Sequence, residues 1–150
     1  MSGPRFQRAN FVVTDLERSL AFYRDILGMA VDFTKTSDET SYSYPVFEIP
    51  RDRRLRFAVL SLENQPRIMA LTEVEGPLEP VPNPRRGAIV VEHPDIDGVV
   101  AGARAAGLHV YDEEHLVTPD GREGREVGVV DFDGNLVVLY FITAHPAGGG

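Results

Sequence analysis

The chain of 150 residues has no cysteine. That excludes disulfides, thiolate metal sites and thiol nucleophiles together. No apolar run approaches the ~18 residues that cross a bilayer, and the opening MSGPRFQRANF has no basic segment leading into an apolar one. Neither membrane insertion nor export is expected, and the cytoplasm is the expected location. Positive charge is in deficit: 15 Lys and Arg stand against 23 Asp and Glu, a formal net charge of −8. Phosphate binding needs a basic surface, and the densest basic cluster is the short RDRRLR, so no nucleic-acid partner is expected. Also missing are a Ser-His-Asp constellation, a phosphate loop, a dinucleotide glycine pattern and any histidine pair at metal-ligand spacing.

What is present is a repeated unit. Hydrophobic residues make up 43% of the chain, enough for one sizeable core or two small ones. Phe6 to Val13 has strand composition, and Asp15 is placed to cap a helix. Leu16, Leu20, Tyr23 and Leu27 form one apolar stripe, and Gly28 stops it. Strands are expected over residues 30–49, as one long or broken element, then over 55–62 and 67–74. The segment GPLEPVPNPRR, residues 76–86, carries four prolines in eleven positions and reads as a linker. The plan then recurs: a strand over 88–92, Asp95 as cap, a stripe of Ile96, Val99, Val100 and Ala103, and Gly107 as stop. Leu108 to Tyr111 follows, then an acidic loop, DEEH, and a Thr-Pro-Asp-Gly turn. Two further runs, 125–132 and 135–142, flank Asp133-Gly134, a strong hairpin signal. The expected fold class is α+β, two βαβββ modules forming a cleft, with residues 6–75 and 87–142 as modules within one domain of 6–142. Residues 143–150 are expected to be a disordered tail. A cleft between repeats is a natural small-molecule site.

DLERSLAFYRDILGM after a strand, and GREVGVVDFDGNLVVLY closing the second module, resemble the vicinal oxygen chelate superfamily of glyoxalases, bleomycin-resistance proteins and extradiol dioxygenases. The resemblance covers residues 6–142 and implies the glyoxalase/bleomycin resistance/dihydroxybiphenyl dioxygenase-like fold, and a homodimer. It also implies four metal-ligand positions. Seven residues before each capping acid, where the family has His, Gln or Glu, stand Arg8 and Ala88. At the two glutamate positions stand Ala70, before the Leu-Thr pair, and Val138, three residues after the turn asparagine. Alanine and valine have no lone pairs to replace lost hydration. A guanidinium ~4 Å from a divalent cation would be repelled by about 8 kcal/mol at an effective dielectric of ~20. No metal and no cofactor is expected.

If the register holds, Arg8, Asn10, Val12, Ile68, Ala70 and Thr72 face inward from the first module. Ala88, Val90, Glu92, Val138 and Tyr140 do so from the second. The expected ligand site is therefore Arg8, Asn10, Ala70, Thr72, Ala88, Val90, Glu92, Val138 and Tyr140: mostly apolar, with an arginine that needs an acidic partner. Glu92 could be that partner, or an anionic or carbonyl-bearing ligand could be. Arg8 could equally bend to solvent. His115 lies in DEEHLVTPDGRE, which is long enough to act as a lid; Tyr42, Tyr44 and Phe47 could stack an aromatic ligand, or belong to the core. The functional expectation is a metal-independent protein that binds a small organic molecule, as resistance or sequestration proteins do. The rival is an enzyme: a metal-dependent lyase, epimerase or dioxygenase, or one in which Arg8 replaces the metal and Glu92 or His115 is the base. A third reading is an interaction module with a collapsed cleft.

Overall fold

Asp15 ends the first strand, β1 (Ala9–Val13), and starts the first helix. Its backbone is extended (φ −149°, ψ 103°), and its carboxylate accepts the Arg18 amide at 3.1 Å. A free first-turn donor is thereby satisfied. The computed structural model describes residues 3–147 and divides the chain into two compact units, which meet in sequence at Pro80 and Val81. That junction falls inside the proline-rich segment.

In the first unit, helix α1 (Leu16–Leu20) continues as a π-helical turn over Ala21–Ile26, and Gly28 closes it at φ 94°. The stripe Leu16, Leu20, Tyr23 and Leu27 is at most 2% exposed. The amide of Leu27 bonds the carbonyl of Phe22, five residues back. This wider turn rotates the following residues, and Phe22 is buried beside Tyr23, with the rings edge to face at 4.9 Å. Strands β2 (Ala30–Thr36), β3 (Leu55–Leu62) and β4 (Gln65–Val74) follow, with a short helix α2 (Ser43–Val46) between β2 and β3. The sheet order is β1-β4-β3-β2; β1 runs parallel to β4, and the other pairs are antiparallel.

The second unit repeats this with β5 (Ala88–Glu92), α3 (Ile96–Ala105), β6 (Glu114–Val117), β7 (Glu123–Val130) and β8 (Leu136–Ala144), in the order β5-β8-β7-β6. Asp95 caps α3 through the Gly98 amide at 3.0 Å, and Gly107 ends it at φ 79°. The β7–β8 turn is held by Asp131, buried at 5% exposure, whose carboxylate accepts the amides of Asp133 and Asn135 at 2.9 and 2.8 Å. The architecture is α+β: two βαβββ-like modules, each a four-stranded mixed sheet with its helix on one face. No helix among the described residues is long and apolar enough to cross a membrane.

Three expectations need correcting. Residues 30–49 are not a strand throughout, because SYSYPVF turns into α2; Pro45 has no amide to give a ladder. Tyr42, Tyr44 and Phe47 therefore do not alternate on a strand. Tyr44 is core, packed with Ile49, Leu55 and Val74 and donating its hydroxyl to the Arg53 carbonyl at 2.6 Å, whereas Tyr42 is 76% exposed. The acidic segment expected as a loop or lid supplies β6, since Glu114 and His115 pair with Glu126 and Arg125 on β7; Leu108 to Tyr111 contributes only a bridge from Val110 to Val129. β8 reaches Ala144, two residues into the expected tail. Residues 148–150 of that tail lie outside the described residues.

Glu73 ties the first sheet to its helix. Its carboxylate receives Arg56 Nε at 2.7 Å and Nη2 at 3.3 Å, and also accepts the Leu16 amide. Burial pushes the carboxyl up, but the guanidinium and the amide together outweigh it and leave the group below the usual glutamate range. A depressed folded value adds stability above the unfolded pKa and loses it as the pH falls through the folded one. Glu73→Gln should therefore cost about 1 kcal/mol at neutral pH, discounted because Arg56 is partly solvated. Urea melts of variant and parent should converge below the ordinary glutamate pKa of ~4.3. Gly124 gives a second prediction: a Cβ there would overlap the backbone carbonyl oxygen of Phe141 across the β7–β8 ladder. Gly124→Ala should destabilise by about 2 kcal/mol, measured as a lowered melting temperature.

Candidate functional site

Side chains alternate across a strand, so the ladder registers assign each one to a face. In the first sheet Phe11, Val13, Met69, Leu71, Ala58 and Leu60 turn toward α1. Phe11 meets Tyr23 with ring centroids 6.4 Å apart, and the last five are at most 1% exposed. The opposite, far face carries two rows: Asn10, Ala70, Val59 and Phe33, then Val12, Thr72, Phe57 and Lys35. Arg8, one residue before β1 and two before Asn10, falls on the same side by alternation. Thus Arg8, Asn10, Ala70 and Thr72, all expected in the site, share one face.

The polar groups on this face are not equivalent. Thr72, buried at 3% exposure, donates its hydroxyl to Asn10 Oδ1 at 2.9 Å. That bond uses the acceptor of the Asn10 amide and leaves its two N–H donors for another group. Arg8 is exposed and makes no hydrogen bond or ion pair among the described residues. Near the end of the face, Tyr44 of α2 and Ile49, which follows it, pack against Leu55 and Val74. Beyond that cover, Phe33 and Phe57 stand edge to face at 6.0 Å.

In the second sheet Val91, Val127, Val129, Val137 and Leu139 are buried on the α3 side, where Arg125 bridges Glu113 and Asp97 at 2.7 and 2.6 Å. The far face carries Ala88, Val90 and Glu92 on β5, and Val138 and Tyr140 on β8. The five residues expected in the site from this module therefore also share a face. Val90 is 64% exposed. Tyr140 donates its hydroxyl to Glu92 Oε2 at 3.2 Å, and its pKa is raised first by burial and then by that carboxylate. One row runs Glu92, Tyr140, Glu126 and Glu114 across all four strands.

His115 does not join them. It neighbours Glu114 on β6 and pairs with Arg125, so alternation turns it to the α3 side, where its Nε2 lies 3.0 Å from Glu123 Oε1. Sequence reasoning missed Phe33, Lys35 and Phe57 on the first far face, and Glu114 and Glu126 on the second. The alternation in VDFTKT and LRFAVL carried a signal for the first three; the acidic row needed the β6–β7 pairing.

A divalent cation does not fit the positions where the resemblance looks for ligands. They hold Arg8, Ala70, Ala88 and Val138, one cation and three side chains without a donor atom. Among the described residues no group of three or more His, Asp and Glu is arranged to hold a metal ion.

The fold is similar to that of several solved structures. A glyoxalase family protein from Bacillus cereus aligns with a TM-score of 0.73 at 14% identity, over 96% of this chain and 97% of that one. The trypanothione-dependent glyoxalase I of Leishmania major aligns at 0.62 and 22% identity, over 91% of this chain and 86% of that one. A mutant of the genomically encoded fosfomycin resistance protein of Listeria monocytogenes, complexed with Mn(II) and 1S,2S-dihydroxypropylphosphonic acid, aligns at 0.56 and 18% identity, over 93% and 90% of the two chains. At these identities the likeness carries the fold alone. No curated protein sequence matches the chain. The family model for the Glyoxalase/Bleomycin resistance protein/Dioxygenase superfamily matches residues 5–139, nearly the whole folded chain, and the protein belongs to that superfamily.

Proposed function

We propose that the protein binds a small organic molecule on the far faces of its sheets without a metal ion, in the manner of resistance or sequestration proteins. Arg8 grips an anionic or carbonyl oxygen. Asn10, Glu92 and Tyr140 supply hydrogen bonds, and Ala70, Thr72, Ala88, Val90 and Val138 complete the walls. One observation carries this reading: an unpaired guanidinium stands where relatives of this fold are expected to place a metal ligand, beside an amide whose acceptor is already engaged. A solvent-shared arginine next to free N–H donors is a ready oxyanion receptor. A homodimer is part of the proposal.

The Tyr140–Glu92 hydrogen bond favours a second reading, an enzyme. Glu92 would remove a proton next to a carbonyl, and Arg8 would stabilise the enolate. Exchange of solvent deuterium into the α-carbon of a bound carbonyl compound would select this reading over simple binding.

Metal analysis of untagged protein should find no stoichiometric Fe, Mn, Ni or Zn; a full equivalent of any of them would end the proposal. In a thermal-shift screen of aromatic acids, phenols, keto acids and cationic antibiotics, a true ligand at ~100 times its Kd should stabilise by about 2.7 kcal/mol. Arg8→Ala should remove that stabilisation while the unliganded melting temperature stays unchanged. An unaltered shift would take Arg8 out of the site. Light scattering should give twice the chain mass.

A further inference from the structure

We infer that the first sheet by itself selects the ligand class: a small aromatic carboxylate, lying across the strands with its acid group at β1 and its ring at β2 and β3. This rests on the proposed function and narrows it. The far face of β1 to β4 carries Arg8 at its β1 edge, and Lys35 and Asp32 on β2, where the Asp32 carboxylate accepts the Ser61 hydroxyl at 3.0 Å. Glu73, the acid on β4, points to the α1 side and is held by Arg56. An anion at β1 meets the Arg8 guanidinium, with Asp32 three strand spacings, ~14 Å, away on β2.

The hydrogen-bonding groups sharpen the choice. Thr72 spends its proton on Asn10 and thereby fixes which end of the amide is presented. Arg8 and Asn10 then offer donors only, two residues apart along one strand, which is ~7 Å. A group that satisfies both must be an acceptor with more than one oxygen. A carboxylate meets this, whereas an ammonium or a lone hydroxyl does not.

The body of the ligand is set by the row behind Asn10. Ala70 and Val59, buried at 5% and 3% exposure, separate Asn10 from Phe33 and Phe57, whose rings meet at an interplanar angle of 77°. Phe33 is 45% exposed, so a ring added against its face would bury apolar surface still in water. Strands lie ~4.8 Å apart, which places Phe57 about 10 Å and Phe33 about 14 Å from β1. An arginine side chain reaches over part of that span. A carboxylate separated from one ring by a short aliphatic link fits the remainder.

Calorimetry with benzoate, phenylacetate, 3-phenylpropionate and 4-phenylbutyrate tests this, with 3-phenylpropanamide and 2-phenylethylamine as neutral and cationic counterparts. The acids should bind with an optimum at the intermediate links, and amide and amine should be weaker by about tenfold or more. Arg8→Ala should lose about ten- to a hundredfold for every acid. Phe33→Ala should lose about two- to tenfold for aryl acids only, leaving acetate unaffected. Arg104→Ala, which removes an exposed guanidinium on α3, should change nothing. Circular dichroism of each unliganded variant controls for folding. If phenols or the amine bind in an Arg8-dependent way while the acids do not, this ligand class is overturned and the broader proposal stands. If no compound binds, or binding ignores Arg8, both fall; if acid binding ignores Phe33, the placement of the ring is overturned.

Discussion

The parallel ladder joining each module's first strand to its last determines the chemistry of the molecule. Ala9 pairs with Met69 and Asn10 with Ala70; in the second module Val90 pairs with Val138 and Glu92 with Tyr140. Because the side-chain period is two, this register decides together which residues build the core and which are left for function. A slip of one residue would drive Asn10 and Glu92 against the helices and turn Phe11 and Val91 outward. The cost of burying those polar groups holds the register in place. The capping aspartates act on the same constraint: Asp15 and Asp95 fix where each strand stops and each helix begins, and so where α1 and α3 land on their sheets.

Two faces of the same topology have diverged in charge. The far face of the first sheet has Arg8 and the Asn10 donors at β1 and a mixed pair, Lys35 and Asp32, at β2, while that of the second carries Glu92, Glu126 and Glu114 in a row with Tyr140. Coordination chemistry needs several oxygen or nitrogen donors converging on one point, and the strand positions where the family would supply them hold Arg8 and three aliphatic side chains. Charge–dipole and apolar contacts are what these surfaces offer instead. The bonds that hold the scaffold, Glu73 with Arg56 and Leu16 in one module and Arg125 with Asp97 and Glu113 in the other, lie on the helix sides. Scaffold and candidate site are thus separated by the thickness of a sheet, and changes on one side need not disturb the other.

Much of this was legible in the chain. Helix starts followed from Asp15 and Asp95, helix ends from Gly28 and Gly107, and the bounds 55–62 and 88–92 from composition and periodicity, because each depends on neighbours within a few residues. Face assignment along β1, β4, β5 and β8 followed from alternation once a strand was recognised. The failures share one cause. SYSYPVF alternates like a strand but buries only Tyr44, which packs with Ile49 against Leu55 and Val74, a contact between distant segments. DEEHLV has the composition of a loop and becomes β6 because the hairpin with β7 gives its amides and carbonyls partners.

The sequence by itself determined the repeated module, its caps and stops, and which side chains, Arg8, Ala70, Ala88 and Val138, stand where the resemblance implies metal ligands, since side-chain chemistry and local spacing need no partner to act. Only the tertiary structure decided that Thr72 turns the amide of Asn10, that Phe33 and Phe57 stand on the same face as it, and that His115 faces away from Glu92. Those relations join residues dozens of positions apart, and strand pairing alone brings them together.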